Sequence, residues 1–226
     1  MVSLMRFGMQ GSEFVRFFLG LDLGQRQDPS ALAVVERDEI VQEEMDYATY
    51  ERVRARRYRM RFLERLQLGT PYPDVVERVR QEARQRPLVG RCVLVMDATG
   101  VGAPVLEMLR LANLECRIVP VNLTGGGSES QSGGVWNVPK RDLINGLVMM
   151  LEKKELELSR RVASARLLDK ELAGVEARVS RSGQMSFGAW REGEHDDLVM
   201  AAALACWRAR KKSQGIWGTK SLGLEY

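Results

Sequence analysis

Histidine is almost absent from this chain: His195 is the only one. A metal centre built on several imidazoles, and any catalytic scheme that needs two, are therefore excluded. Cysteine is scarce too, and Cys92, Cys116 and Cys206 are scattered, odd in number and without CxxC spacing. Neither a disulfide framework nor a zinc site fits that pattern, which suits a reducing, cytoplasmic compartment. No run is long and apolar enough to span a membrane, and the opening "MVSLMRFGMQGSEF" lacks the apolar core of a signal peptide, so a soluble protein is expected. A phosphate-binding loop of the form GxxxxGK[ST] is also missing; the nearest stretch, "TGGGSESQSGG", lacks its lysine.

What remains is an ordinary globular composition, with 45% hydrophobic and 28% charged residues over 226 positions. That suffices for one sizeable core. We expect an N-terminal extension or linker over 1–16, one domain over 17–212 and a loosely held tail over 213–226. The formal charge is only +4, but Arg52, Arg54, Arg56, Arg57, Arg59, Arg61 and Arg65 crowd one stretch. Either that stretch is a solvated face or it meets a polyanion.

The stretch "FFLGLDLGQRQDPSALAVVE" places Asp22 at the end of an apolar run, and Asp28-Pro29-Ser30 marks a turn before a second strand. This predicts a hairpin with an acid at its lip. "EIVQEEMDYATY" reads equally as a strand or a helix start. In "RRYRMRFLERL", Tyr58, Met60 and Phe62 alternate with Arg57, Arg59 and Arg61, which predicts a half-buried strand with one basic face. "PDVVERVRQEARQR" carries Val75, Val76 and Val79 at helical spacing. "RCVLVMDATGVG" holds a strand buried on both faces that ends in Asp97. A helix over "APVLEMLRLAN" and a strand over "CRIVPVN" complete a crossover, and such strand ends commonly carry the ligand site.

"LTGGGSESQSGG" reads as a loop. Helices follow over "VPKRDLINGLVMMLEKKEL" and "SRRVASARLLDKELAGV", with a short "LEL" strand between them. "ARVSRSGQMSFGAW" predicts a hairpin turning at Ser182-Gly183. The last helix opens on His195-Asp196-Asp197, and Ala201, Ala202, Ala203 and Ala205 allow it to lie close on the sheet.

Each acid has an ordinary explanation. Asp196 and Asp197 fit a helix cap, Asp97 could cap the next helix, and Asp22 could open a turn. Caps do not explain two strand-terminal acids together with a paired acid on the closing helix of one sheet. Converging carboxylates repel one another, and magnesium or manganese would neutralise them with oxygen ligands. Two such ions can drive phosphodiester hydrolysis.

"GLDLGQRQDPSALAVVE", "VMDATGVGAPV", "VPKRDLI" and "GEHDDLVMAAALA", in this order, resemble the nuclease domain of the large terminase subunit of tailed phages and prophages, over about Phe17 to Arg210. The resemblance implies an α/β, ribonuclease H-like mixed central sheet flanked by helices with an added β-hairpin. It also implies a two-metal DNA endonuclease, using magnesium or manganese, that cuts concatemeric viral double-stranded DNA during genome packaging. By motif, Asp22 and Asp97 correspond to the first two family acids and Asp196 with Asp197 to the paired acids, Asp197 being placed as the more direct ligand. Lys140 corresponds to a basic position able to meet the scissile phosphate; its plain alternative is a surface lysine before a helix. DNA contacts are expected from Arg57, Arg59, Arg61, Lys140 and Arg141.

The family's subunit also carries an ATPase, and the missing phosphate loop places that motor outside this chain. An ATPase domain, the small terminase subunit and the portal are the implied partners, and no membrane is. A Holliday-junction resolvase or transposase core would use similar acids, and a resolvase would be an obligate dimer. "GLDLG" also resembles the first phosphate motif of actin-like kinases, but those need two such lobes. A basic DNA-binding module with an inactive site is the non-enzymatic alternative.

Overall fold

In the computed structural model the described residues are 16–24, 28–46, 51–100, 102–125, 127–182 and 195–211. The first apolar run forms β1 (Phe17–Asp22), and β2 (Ala31–Asp46) returns antiparallel to it. The Gly24 N–H donates to Ser30 Oγ at 3.0 Å, closing the lip of that hairpin. The ambiguous stretch after Glu39 continues β2 as strand through Asp46. β3 (Glu51–Arg65) pairs antiparallel with β2. The valine-striped segment is α1 (Tyr72–Ala83), the buried run is β4 (Cys92–Asp97), and α2 (Gly102–Leu111) leads to β5 (Arg117–Thr124).

The stretch read as a loop is partly ordered as strand. β6 (Ser130–Ser132) pairs antiparallel with β7 (Val135–Pro139) across Gly133 and Gly134, whose φ values are 58° and 82°. Two consecutive positive φ values match the right-handed twist of a two-residue hairpin, which glycine reaches without strain. α3 (Lys140–Glu152), β8 (Leu156–Leu158), α4 (Ala165–Ser182) and α5 (Asp197–Arg210) follow. The hairpin expected over 177–190 is corrected in its first arm, because α4 runs on to Ser182. Its second arm, residues 1–15 of the expected 1–16 extension and the 213–226 tail lie outside the described residues. Among the described residues no helix is long and apolar enough to cross a membrane.

One mixed sheet results, in the order β6-β7-β5-β4-β1-β2-β3-β8. β1, β4, β5 and β7 are mutually parallel, and β2 runs against β1. One face carries α3, α4 and α5 over Phe18, Val35, Met60, Val93, Val95 and Val119. The other carries α1 and α2 over Phe17, Leu19, Leu21, Leu94 and Met96.

α5 lies close on the sheet because Gly20 has no side chain. A Cβ there would stand 1.9 Å from the Ala201 carbonyl oxygen and 2.8 Å from the Ala205 nitrogen. Ala201, Ala202, Ala203 and Ala205 are fully buried against it.

A bulge corrects the face reading of β3. Val34 pairs with Phe62 but Val35 pairs with Met60, so Arg61 is an extra residue in β3. An extra residue sends every later side chain to the opposite face. Tyr58 and Met60 therefore face α5, whereas Phe62 packs on the α1 side and Leu63 returns to the α5 side.

Candidate functional site

The strand register brings two acids together. β1 and β4 are parallel with Leu21 beside Met96, so Asp22 and Asp97 end adjacent strands side by side. Asp22 follows Phe18 and Gly20, and Asp97 follows Val93 and Val95, on the face that α5 covers. The amino end of α5 reaches the same edge, carrying Asp196 and Asp197, and α3 begins there with Lys140.

Asp97 is fixed by a local turn. The Thr99 N–H donates to Asp97 Oδ1 at 2.8 Å, and Thr99 Oγ1 accepts from the Leu123 N–H at 2.8 Å, tying the end of β4 to β5. Asp196 occupies the cap position of α5 but makes no capping hydrogen bond. Its Oδ2 lies 2.5 Å from Lys140 Nζ instead. Asp197 is buried at 3% exposure, and its Oδ2 is 2.6 Å from Arg65 Nε. Its Oδ1 is 3.8 Å from His195 Nδ1, which is in turn 3.6 Å from Asp28 Oδ1 at the lip.

Burial raises the pKa of Asp22 well above the usual carboxylate value, and Asp97, Asp196 and Asp197 push it further while Lys140 opposes. Asp97 is raised by burial, against its hydrogen bonds from Thr99 and the charge of Lys140. Asp197 is raised by burial against Arg65 and His195. The acids thus stand in one another's fields in a poorly hydrated corner, where carboxylates strain against ionisation.

Among the described residues the side chains as placed do not already form a cluster of three ligands. Lys140 and Arg65 lie on two of the four acids. The donor set nevertheless suits a hard divalent cation. All donors are carboxylate oxygens, the ligands a hard divalent cation prefers.

The expected DNA-contacting residues divide. Lys140 is in the site, and Arg141 beside it is exposed on the first turn of α3. Arg57, Arg59 and Arg61 are not brought to the acids; Arg59 is about 20 Å along β3 from Arg65 at the usual strand rise. Arg59 is held 2.7 Å from Asp38, and Arg61 is 2.7 Å from Glu36.

Two neighbours of the acids escaped the sequence reading. Arg65 belongs to the arginine-rich stretch, but only the bulge turns it onto the α5 face. Its Nη2 donates to Glu171 Oε1 on α4, and Glu171 Oε2 accepts from the Val199 N–H at 3.1 Å. Glu171 therefore supplies the cap that α5 lacks locally. The available signal was an acid set between Leu168 and Leu172 on the buried stripe of α4.

No protein-family profile matches the chain, and no curated protein matches it in sequence. Solved structures do. The large terminase nuclease from thermophilic phage G20c matches at a TM-score of 0.52 with 22% identity, over 85% of this chain and 82% of that one. The Mn-soaked human cytomegalovirus terminase nuclease domain matches at 0.50 with 9% identity, over 94% and 93%. The chain has the ribonuclease H-like fold of large-terminase nuclease domains.

Proposed function

We propose that this protein is a divalent-metal-dependent endonuclease of double-stranded DNA, the nuclease of a terminase large subunit, which cuts concatemeric viral DNA during packaging. The observation that carries this reading is the placement of Asp22 and Asp97 on adjacent parallel strand ends, with Asp196 and Asp197 brought over them by α5. The fold shared with the phage and cytomegalovirus nuclease domains supports it.

Asp22, Asp97 and Asp197 are the residues we assign to hold magnesium or manganese, with Asp196 as a fourth oxygen donor. The use of manganese on the cytomegalovirus domain is consistent with this assignment. When bound, such ions polarise the scissile phosphate and lower the proton affinity of an attacking water. The protein's own groups do the rest. Thr99 restrains Asp97 through Oδ1 at the end of β4. Lys140 places a cation beside Asp196, where a DNA phosphate can exchange with that carboxylate. Arg141, exposed one residue further on, meets the DNA backbone without reading its sequence. The ATPase, small terminase subunit and portal would act from outside this chain.

Nicking of supercoiled plasmid tests the reading. Cleavage should appear with magnesium or manganese and vanish in excess chelator; undiminished nicking in chelator rules the proposal out.

A further inference from the structure

Asp197 is gripped from behind. Arg65 reaches its Oδ2 from β3, and Glu171 holds Arg65 from α4 while also binding the first turn of α5. Side-chain exposures of 20% for Arg65, 6% for Glu171 and 4% for Asp197 leave little water to satisfy these charges. Buried charges of this kind persist only with their partners in place. Because Glu171 is bonded to the Val199 N–H, the guanidinium is registered to the same helix turn that carries Asp197. The Oδ1 oxygen stays on the side of His195 and the lip.

We infer that Arg65, braced by Glu171, is a positioning residue that fixes the Asp197 carboxylate through Oδ2 and leaves Oδ1 to face the divalent cation. The inference rests on the metal-dependent reading above and adds two residues that act through Asp197.

Two simpler roles predict different behaviour. A Glu171 that served only as a helix cap could be replaced by glutamine, whose carbonyl accepts the same hydrogen bond, without effect on metal binding. An Arg65 that served only as counter-charge would weaken the site's hold on a cation, so its removal should tighten metal binding. A positioning role predicts the opposite sign, because outer partners of metal-binding side chains commonly contribute about 10–100-fold in affinity.

Calorimetric titration of manganese into the full chain tests this, using wild type, Asp197→Asn, Arg65→Gln, Arg65→Lys, Glu171→Gln and the double variant of Asp197→Asn with Arg65→Gln. Circular dichroism first confirms that each folds. Saturable wild-type binding should be weakened by Asp197→Asn and, about 10–100-fold, by Arg65→Gln. Arg65→Lys should fail to restore it, since lysine keeps the charge but not the planar fork. Glu171→Gln should weaken binding in the same direction, and Arg65→Gln should add nothing once Asp197 is asparagine. Asp197-dependent binding that is unchanged or tighter in Arg65→Gln and Glu171→Gln overturns the positioning role and leaves the metal site standing. Absence of Asp197-dependent binding in the wild type overturns the metal reading and this inference with it. Should Arg65→Gln fail to fold, Glu171→Gln decides alone.

Discussion

Lys140 Nζ stands 2.5 Å from Asp196 Oδ2, joining the start of α3 to the residue before α5. Its charge also opposes the rise in proton affinity of Asp22 and Asp97. Lys140→Met should therefore lower the single-turnover nicking rate by about 100-fold, the usual scale for losing one electrostatic contact to a transition state. Stability should move by less than about 1 kcal/mol, because the pair is partly exposed. A variant that cleaves at the wild-type rate would remove Lys140 from the site.

Asp22 should make metal-free stability depend on pH in a definite sense. Its folded pKa is raised above the usual 3.8, first by burial and then by Asp97, Asp196 and Asp197. A carboxyl raised in the folded state favours folding below its unfolded pKa, and that contribution is lost as pH rises through the folded one. Glu171, pushed up to about 7 by burial, acts in the same sense. In chelator, Asp22→Asn should melt above the wild type near neutral pH, and the gap should close toward about pH 4, where the wild-type carboxyl is already protonated. Thermal melts across that range check this, and a gap that is constant or widens at acid pH would contradict it.

Gly20→Ala should be among the most damaging small changes in the chain. The added carbon meets the Ala201 carbonyl oxygen and the Ala205 nitrogen, which are helix backbone and cannot rotate aside. Urea titration should show a loss of about 3 kcal/mol, at the upper end for overpacking. A loss below about 1 kcal/mol would mean that α5 is not seated on β1 as described.

Arg57, Arg59 and Arg61 were expected to meet DNA, but Asp38 and Glu36 already hold two of them. Replacing all three by alanine should lower the logarithmic salt slope of DNA binding by about one unit rather than three. A drop near three would mean that those ion pairs open onto the duplex.

The sequence carried Asp22 and Asp97 plainly because each closes an apolar run of strand length. Their adjacency then follows from the parallel register of β1 and β4. Asp196 and Asp197 were legible from the apolar helix they open, although Asp196 proved to pair with Lys140 rather than to cap. Arg65 was hidden for a geometric reason: one inserted residue inverts the faces of β3, and strict alternation had put Phe62 with Met60. Glu171 was hidden because its partners come from β3 and α5, far off in sequence. β6 escaped because three exposed polar residues carry no alternating pattern, leaving Gly133-Gly134 as the sole cue.

We assign Asp22, Asp97 and Asp197 to hold the cation that cuts DNA. Manganese-dependent relaxation of supercoiled plasmid, measured for the wild type and for Asp22→Asn, Asp97→Asn and Asp197→Asn after each is shown to fold, tests this assignment most directly. The wild type should relax plasmid only with the metal, and each asparagine variant should lose at least about 100-fold of that rate. Folded variants that cleave at the wild-type rate, or a wild type that cleaves equally in chelator, would contradict it.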